Sequence, residues 1–178
     1  VELLSISEEK GARLRATITE FGPVLLGKIL DLSDAQQGII ALIFKYCDDN
    51  RYPLLDLKDL KKMLQFCINE GKEDIQAEYG RVSSASVSAI MRKIIELEQQ
   101  GAEQFFGERS FDVDDLLTKK DGKGQIGIIR LTDMQSKPKL FSTFMLSLLA
   151  EIYANFPEAG DLKEPKLCIF IDEAHLIF

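Results

Sequence analysis

An apolar strand, an amphipathic helix and a second apolar strand follow one another in the last third of the chain. Residues 125–131 (QIGIIRL) and 166–171 (KLCIFI) have strand composition, and residues 139–156 carry apolar side chains at helical spacing. Strand, helix and strand with short links form a βαβ unit, whose two strands pair in parallel. Because the second strand lacks polar alternation, we expect it to be covered on both faces, as in a doubly wound sheet.

The residues before this unit predict a helical segment. Helices are expected over residues 20–30, 34–47, 57–70, 74–79 and 84–100. Their expected capping residues are Thr19, Ser33 or Asp34, Asp56, and Ser83 or Ser84. Glycines at positions 71 and 101 are expected to end two of them. We therefore divide the chain into an extended segment at 1–19, a helical insertion at 20–107 and a βαβ part at 108–178.

Composition places the chain among globular proteins and narrows its partners. Its 178 residues are 46% apolar and 29% charged, which is enough for a buried core. The net charge of −7 argues against a general affinity for nucleic acid, because phosphate contacts need a cationic surface. No apolar run approaches the roughly 18 residues of a membrane span. No secretory signal is visible at the start, so we expect a cytoplasmic protein.

Three cysteines and one histidine limit the available chemistry. Cys47, Cys67 and Cys168 lie among apolar neighbours without CxxC spacing. This pattern favours three buried free thiols over disulfides. A single histidine, His175, excludes multi-histidine metal sites. We expect His175 to be a loop residue packed under the sheet, the alternative being a link between the site and a moving element.

Two carboxylates follow the last apolar strand directly. Residues 167–175 read LCIFIDEAH, which has the form of a Walker B element. Carboxyl ends of parallel strands face the ligand crevice of an open α/β sheet. Asp172 can therefore hold Mg²⁺ directly or through a water, since this cation prefers oxygen ligands. Glu173 can orient the water that attacks a γ-phosphate. The alternative is a buried strand that ends in a solvated acidic turn.

The matching phosphate-binding loop is not found in this sequence. A P-loop reads GxxxxGK(S/T), but the three Gly-Lys pairs are followed by Ile29, Glu73 and Gly124. The chain also begins at Val1 without methionine and ends at Phe178 within an apolar run. We therefore expect an internal fragment whose Walker A motif lies upstream, and which by itself does not hydrolyse ATP.

Several stretches of the chain resemble the YjgR-type proteins, which are bacterial HerA-like P-loop ATPases. The most specific are YGRVSSASVSAIMRKIIELEQQGAEQFFGE at 79–108 and PEAGDLKEPKLCIFIDEAHLIF at 157–178. The resemblance covers essentially the whole chain. It implies a fragment of a RecA/FtsK-like P-loop NTPase core, made of a mostly helical insertion and a parallel βαβ unit.

The resemblance also implies a function. Such proteins are ATP- and Mg²⁺-dependent DNA translocases or helicases that form rings, usually hexamers. By position, Asp172 would be the magnesium-binding acid and Glu173 the hydrolytic acid. An arginine finger is implied too, with Arg81 and Arg92 as candidates, although a solvated or ion-paired arginine is the more ordinary interpretation. Two alternatives stay open: a superfamily-two DEAH helicase fragment, and a non-catalytic helical interaction module.

Overall fold

The computed structural model describes residues 1–6, 9–108, 112–131, 137–156, 160 and 163–172. The chain divides into two compact units. Val1–Leu14 and Arg109–Phe178 form one unit, and Arg15–Glu108 form the other. The described residues make a mixed α/β protein that is mostly helical and contains a small parallel sheet. This agrees with the α/β class predicted from the sequence.

The Arg15–Glu108 unit is built from helices. They are α1 (Ile18–Ile29), α2 (Asp34–Asp49), α3 (Leu57–Ile68), α4 (Lys72–Glu78) and α5 (Ser84–Gln99), followed by a 3₁₀ turn at Ala102–Gln104. Ser33, Asp56 and Ser83 occupy the predicted N-cap positions. Gly101, with a φ of 90°, follows the end of α5 in the left-handed region that favours glycine. All five predicted helices are thus present, with ends shifted by a few residues.

The N-cap of α1 differs from the prediction, because Thr17 rather than Thr19 occupies it. The Thr17 hydroxyl accepts a hydrogen bond from the Glu20 amide at 3.0 Å, and the Glu20 carboxylate accepts one from the Thr17 amide at 3.0 Å. This reciprocal capping box starts the helix earlier than predicted. The Thr19 hydroxyl instead donates to the Leu54 carbonyl at 3.1 Å and accepts from the Leu54 amide at 2.9 Å.

The core of the helical unit lies between α1 and α2 and between α2, α3 and α5. Its fully buried aliphatic side chains include Leu26, Ile40, Ile43, Leu60, Leu64, Ile90 and Ile94. Each such side chain contributes roughly 1.5–3 kcal/mol through removal from water. The apolar side chains of α2 lie nearly all the way round the helix, a pattern that predicts a helix buried inside a bundle. In the structure Leu42 and Phe44 are partly exposed, so the helix is not buried on all sides.

The two ends of the helical unit meet. The Ala16 amide donates to the Phe105 carbonyl at 3.1 Å, and the Gly107 amide donates to the Ala16 carbonyl at 3.1 Å. Beside these bonds, the buried Phe106 ring lies edge-on to Phe21, with ring centroids 5.5 Å apart. The chain therefore enters and leaves this unit at adjacent points.

The other unit contains short strands and one long helix. They are β1 (Glu2–Ser5), β2 (Ala12–Arg13), β3 (Lys119–Lys120), β4 (Lys123–Gly124), β5 (Gly127–Arg130) and α6 (Pro138–Asn155), with a 3₁₀ turn at Val113–Leu117. β2, β1 and β5 form a parallel sheet in that order, with Leu4 opposite Ile129. β3 and β4 form an antiparallel hairpin. The strand predicted at 125–131 is thus confirmed as β5, although it is shorter.

The second strand of the predicted βαβ unit is not formed. Residues 163–172 contain neither helix nor strand, and the Phe170 side chain is 94% exposed. The prediction of a strand at 166–171 that is covered on both faces is therefore wrong for this structure. An apolar run indicates a tendency to be buried, but a strand also needs backbone partners along its edges. Cys168 is exposed for the same reason, whereas Cys47 and Cys67 are buried as predicted.

Candidate functional site

The predicted catalytic segment lies at the end of the described residues. Asp172 is exposed at the end of the irregular segment 163–172. Glu173 and His175 lie outside the described residues, so their predicted roles remain predictions. Asp172 directly follows an apolar run that does not form a strand, and its predicted magnesium-binding role also remains a prediction.

A cavity of about 870 Å³ connects this segment to the rest of its unit. The apolar part of its wall comes from α6, β5 and the segment before Asp172, and includes Phe141, Phe144, Met145, Leu148, Ile129, Leu167 and Ile171. Asp172, Lys119, Arg130 and Lys166 supply charged groups to the same lining. The volume falls within the range of about 300–1,000 Å³ that is typical of ligand pockets. Apolar walls with a few charged groups are also typical of such sites.

The donor set at Asp172 suits a magnesium ion that is also held by a ligand. Among the described residues, no group of three or more His, Cys, Asp or Glu side chains is placed to hold a metal. Mg²⁺ is commonly bound by one or two carboxylates, with phosphate oxygens and waters completing its shell. A single carboxylate beside a ligand-sized cavity fits that pattern, and it does not fit a metal cage made of protein side chains alone.

An ion pair at the carboxyl end of β5 was not anticipated from the sequence. The Arg130 Nε lies 2.9 Å from a carboxylate oxygen of Glu9, which is the less exposed partner. Arg130 also lines the cavity. Carboxyl ends of parallel strands are where α/β sheets bind ligands, so Arg130 is a further candidate for contact with an anion. Little in the sequence indicated this role for Arg130, because a single basic residue at the end of a strand is common.

The two arginines suggested as finger candidates lie in the helical unit. Arg81 lies between α4 and α5, and Arg92 lies on α5, and both are exposed. Their exposure is what the ordinary interpretation of solvated arginines expects, and the finger role remains a prediction. None of the helices in the described part of the chain has the length and apolarity that a membrane span needs.

The chain is an α/β protein with a small parallel sheet, a long helix and a cavity of ligand size that Asp172 borders. Comparison with known families identifies the particular group. The model of the family described as helicase HerA-like C-terminal matches residues 1–178, so the chain belongs to that family. No curated protein and no solved structure matches the chain. The narrower YjgR-type assignment stays a prediction.

Proposed function

We propose that this chain supplies the Walker B acids of an ATP-hydrolysing HerA-like motor. The observation that carries the proposal is the family match along the whole chain. The position of Asp172 beside a cavity of ligand size supports it. The motor would use ATP and Mg²⁺, and it would act as a homo-oligomeric ring, most simply a hexamer, in the cytoplasm.

Asp172 and Glu173 have different tasks in this proposal. Asp172 would hold a bound magnesium ion, directly or through a water. When bound there, the ion would neutralise charge on the phosphate oxygens. Glu173 accepts a hydrogen bond from the attacking water and orients it in line with the γ-phosphate. Phosphoryl transfer depends mostly on positioning and electrostatics. In this proposal, the two carboxylates are what the segment after the apolar run contributes to both.

The proposed polymer on which the motor moves is DNA. The chain as a whole carries a net charge of −7, which opposes general binding to a polyanion. Contact with DNA would therefore be limited to a local basic feature. This restriction suits a motor, because a translocase must release the backbone repeatedly as it moves.

The test of the catalytic assignment is Glu173→Gln in the full-length protein. We expect ATP turnover to fall more than tenfold while nucleotide affinity is retained, because the amide keeps the shape but loses the charge that orients water. Glu164→Gln, a change at an exposed glutamate a few residues earlier, is the matched control and should leave turnover unchanged. Turnover above a tenth of the unaltered rate in the Glu173 variant would contradict the assigned role.

The variant Asp172→Asn tests the role of Asp172 separately from that of Glu173. We expect this variant to need a higher magnesium concentration for half-maximal turnover, because an amide oxygen is a weaker ligand than a carboxylate. Titration of turnover against magnesium at saturating ATP measures this shift. An unchanged magnesium requirement would show that Asp172 does not hold the ion.

A further inference from the structure

The hairpin formed by β3 and β4 is a basic feature in an acidic chain. Residues 119–124 contain three lysines, Lys119, Lys120 and Lys123, and one acid, Asp121. All three lysines are exposed. The two turn residues, Asp121 and Gly122, have φ values of 53° and 74°. Positive φ at both positions is the type I′ turn that makes tight two-residue hairpins. The lysines are therefore held on a defined structure.

The hairpin carries more positive than negative charge, with three lysines and one aspartate. Within the described part of the chain, none of the three lysines forms an ion pair, not even with Asp121. Lys120 and Lys123 are directly opposite each other in the hairpin register. Like charges in that position destabilise a strand pair. Repulsion between the two lysines therefore destabilises the hairpin. An anion bound across both would reduce this repulsion.

The hairpin also adjoins the candidate nucleotide site. Lys119 and Gly124, its first and last residues, line the same cavity as Asp172. Lys120 and Lys123 are not part of that lining and belong to the turn end of the hairpin. One end of this short element therefore borders the site, and the other end presents the opposed cations to solvent.

We propose that the β3–β4 hairpin contacts the phosphate backbone of DNA, with Lys120 and Lys123 as the contacting residues. This inference rests on the proposed function as a DNA motor. Duplex DNA carries about one negative charge per 1.7 Å of its axis, so two neighbouring lysines neutralise adjacent phosphates. Such contacts carry no sequence information, which is what movement along arbitrary DNA requires. The position of Lys119 at the cavity links this contact to the nucleotide site.

The experiment measures binding of the full-length protein to a fluorescently labelled random-sequence DNA duplex by anisotropy. The test variant carries Lys120→Ala and Lys123→Ala, and salt is varied between about 50 and 200 mM. We expect the slope of log affinity against log salt to fall by about 2, and the affinity near 0.1 M salt to fall by about tenfold or more. Lys120→Arg with Lys123→Arg should restore both values, because it keeps the charge.

The matched control carries Lys58→Ala and Lys62→Ala, which remove two exposed lysines from α3. It should leave the DNA affinity and the salt slope unchanged. An unchanged slope in the hairpin variant, or an equal loss in the control, overturns the hairpin proposal alone. Weaker binding of a fluorescent ATP analogue with unchanged DNA binding also overturns it, because the phosphate source would then be the nucleotide. Failure of the unaltered protein to bind DNA overturns both this proposal and the DNA part of the proposed function.

Discussion

Replacing Phe106 by alanine tests whether the contact that closes the helical unit determines its stability. The Phe106 side chain is 2% exposed, and its ring centroid lies 5.5 Å from that of Phe21 and 5.0 Å from that of Phe105. Truncation of a buried phenylalanine costs about 3–5 kcal/mol. Favourable edge-on ring pairs contribute about 0.5–1.5 kcal/mol beyond burial. Because this ring has two such neighbours, we expect Phe106→Ala to lower the free energy of unfolding by about 4 kcal/mol or more, in the upper half of the range for truncation.

Equilibrium unfolding in urea, followed by circular dichroism, measures this loss. Tyr52→Ala is the aromatic control, since Tyr52 is 54% exposed and its nearest ring, Tyr46, has its centroid 6.5 Å away. That variant should lose less than about 1 kcal/mol. If Phe106→Ala lowered the free energy of unfolding by no more than the control does, the closing contact would not stabilise the unit.

A double-mutant cycle isolates the ring pair from simple burial. Phe21→Leu, Phe106→Leu and the double variant each keep most of the apolar volume while removing one or both rings. We expect a coupling free energy of about 0.5–1.5 kcal/mol between the two positions. A coupling close to zero would mean that the edge-on geometry adds nothing to burial.

The remaining predictions concern backbone strain, thiols and nucleotide binding. Asp31 has a φ of 50°, in the left-handed region that favours glycine. Asp31→Gly should therefore raise the free energy of unfolding, measured in urea, by about 0.5–1 kcal/mol, and a lower free energy of unfolding would contradict this. Burial raises the pKa of the Cys47 and Cys67 thiols to about 11 from an ordinary value of 9.0. The folded state therefore keeps protons that the unfolded state releases, and stability should fall between about pH 9 and 11 by up to 1.4 kcal/mol per pH unit for each thiol. A double alanine variant at these cysteines should lack that component of the pH dependence, and equal curves for both proteins would refute it. At neutral pH, Ellman's reagent should label Cys168 rapidly and the two buried thiols only after denaturant is added, and three equally fast thiols would contradict this. The 178-residue chain alone should show no micromolar ATP binding by calorimetry, because its sequence contains no GxxxxGK(S/T).

Helices were predictable where local signals agreed with packing. Asp56 precedes α3, and apolar residues recur along it at helical spacing, so cap and core face both indicated the same element. The start of α1 was misplaced because two threonines lie two residues apart. Only the structure shows that the Thr19 hydroxyl bonds to Leu54, leaving Thr17 to cap the helix.

Strands were less predictable, because their formation depends on distant partners. β1 was not anticipated, since its pairing partner β5 lies more than a hundred residues further along the chain. The reverse error occurred at 166–171, where strand composition is present without strand pairing. Asp172 follows that run in the sequence, and its magnesium-binding role stays a prediction. The cavity beside it was not predictable, because its wall combines α6, β5 and the final segment only in three dimensions.

The meeting of Ala16 with Phe106 has a consequence for the order of folding. Pairing Ser5 with Arg130 closes a very long loop if the chain between them is unfolded. If the helical unit folds first, its bonded ends shorten the effective loop from roughly 125 to roughly 35 residues, which lowers the closure entropy by about 1 kcal/mol. Because the ends of the helical unit are bonded to each other, the entropy cost of closing the loop between β1 and β5 depends little on the length of the helical segment. We therefore expect the pairing of β1 with β5 to be kept when the helical segment is lengthened or replaced during evolution.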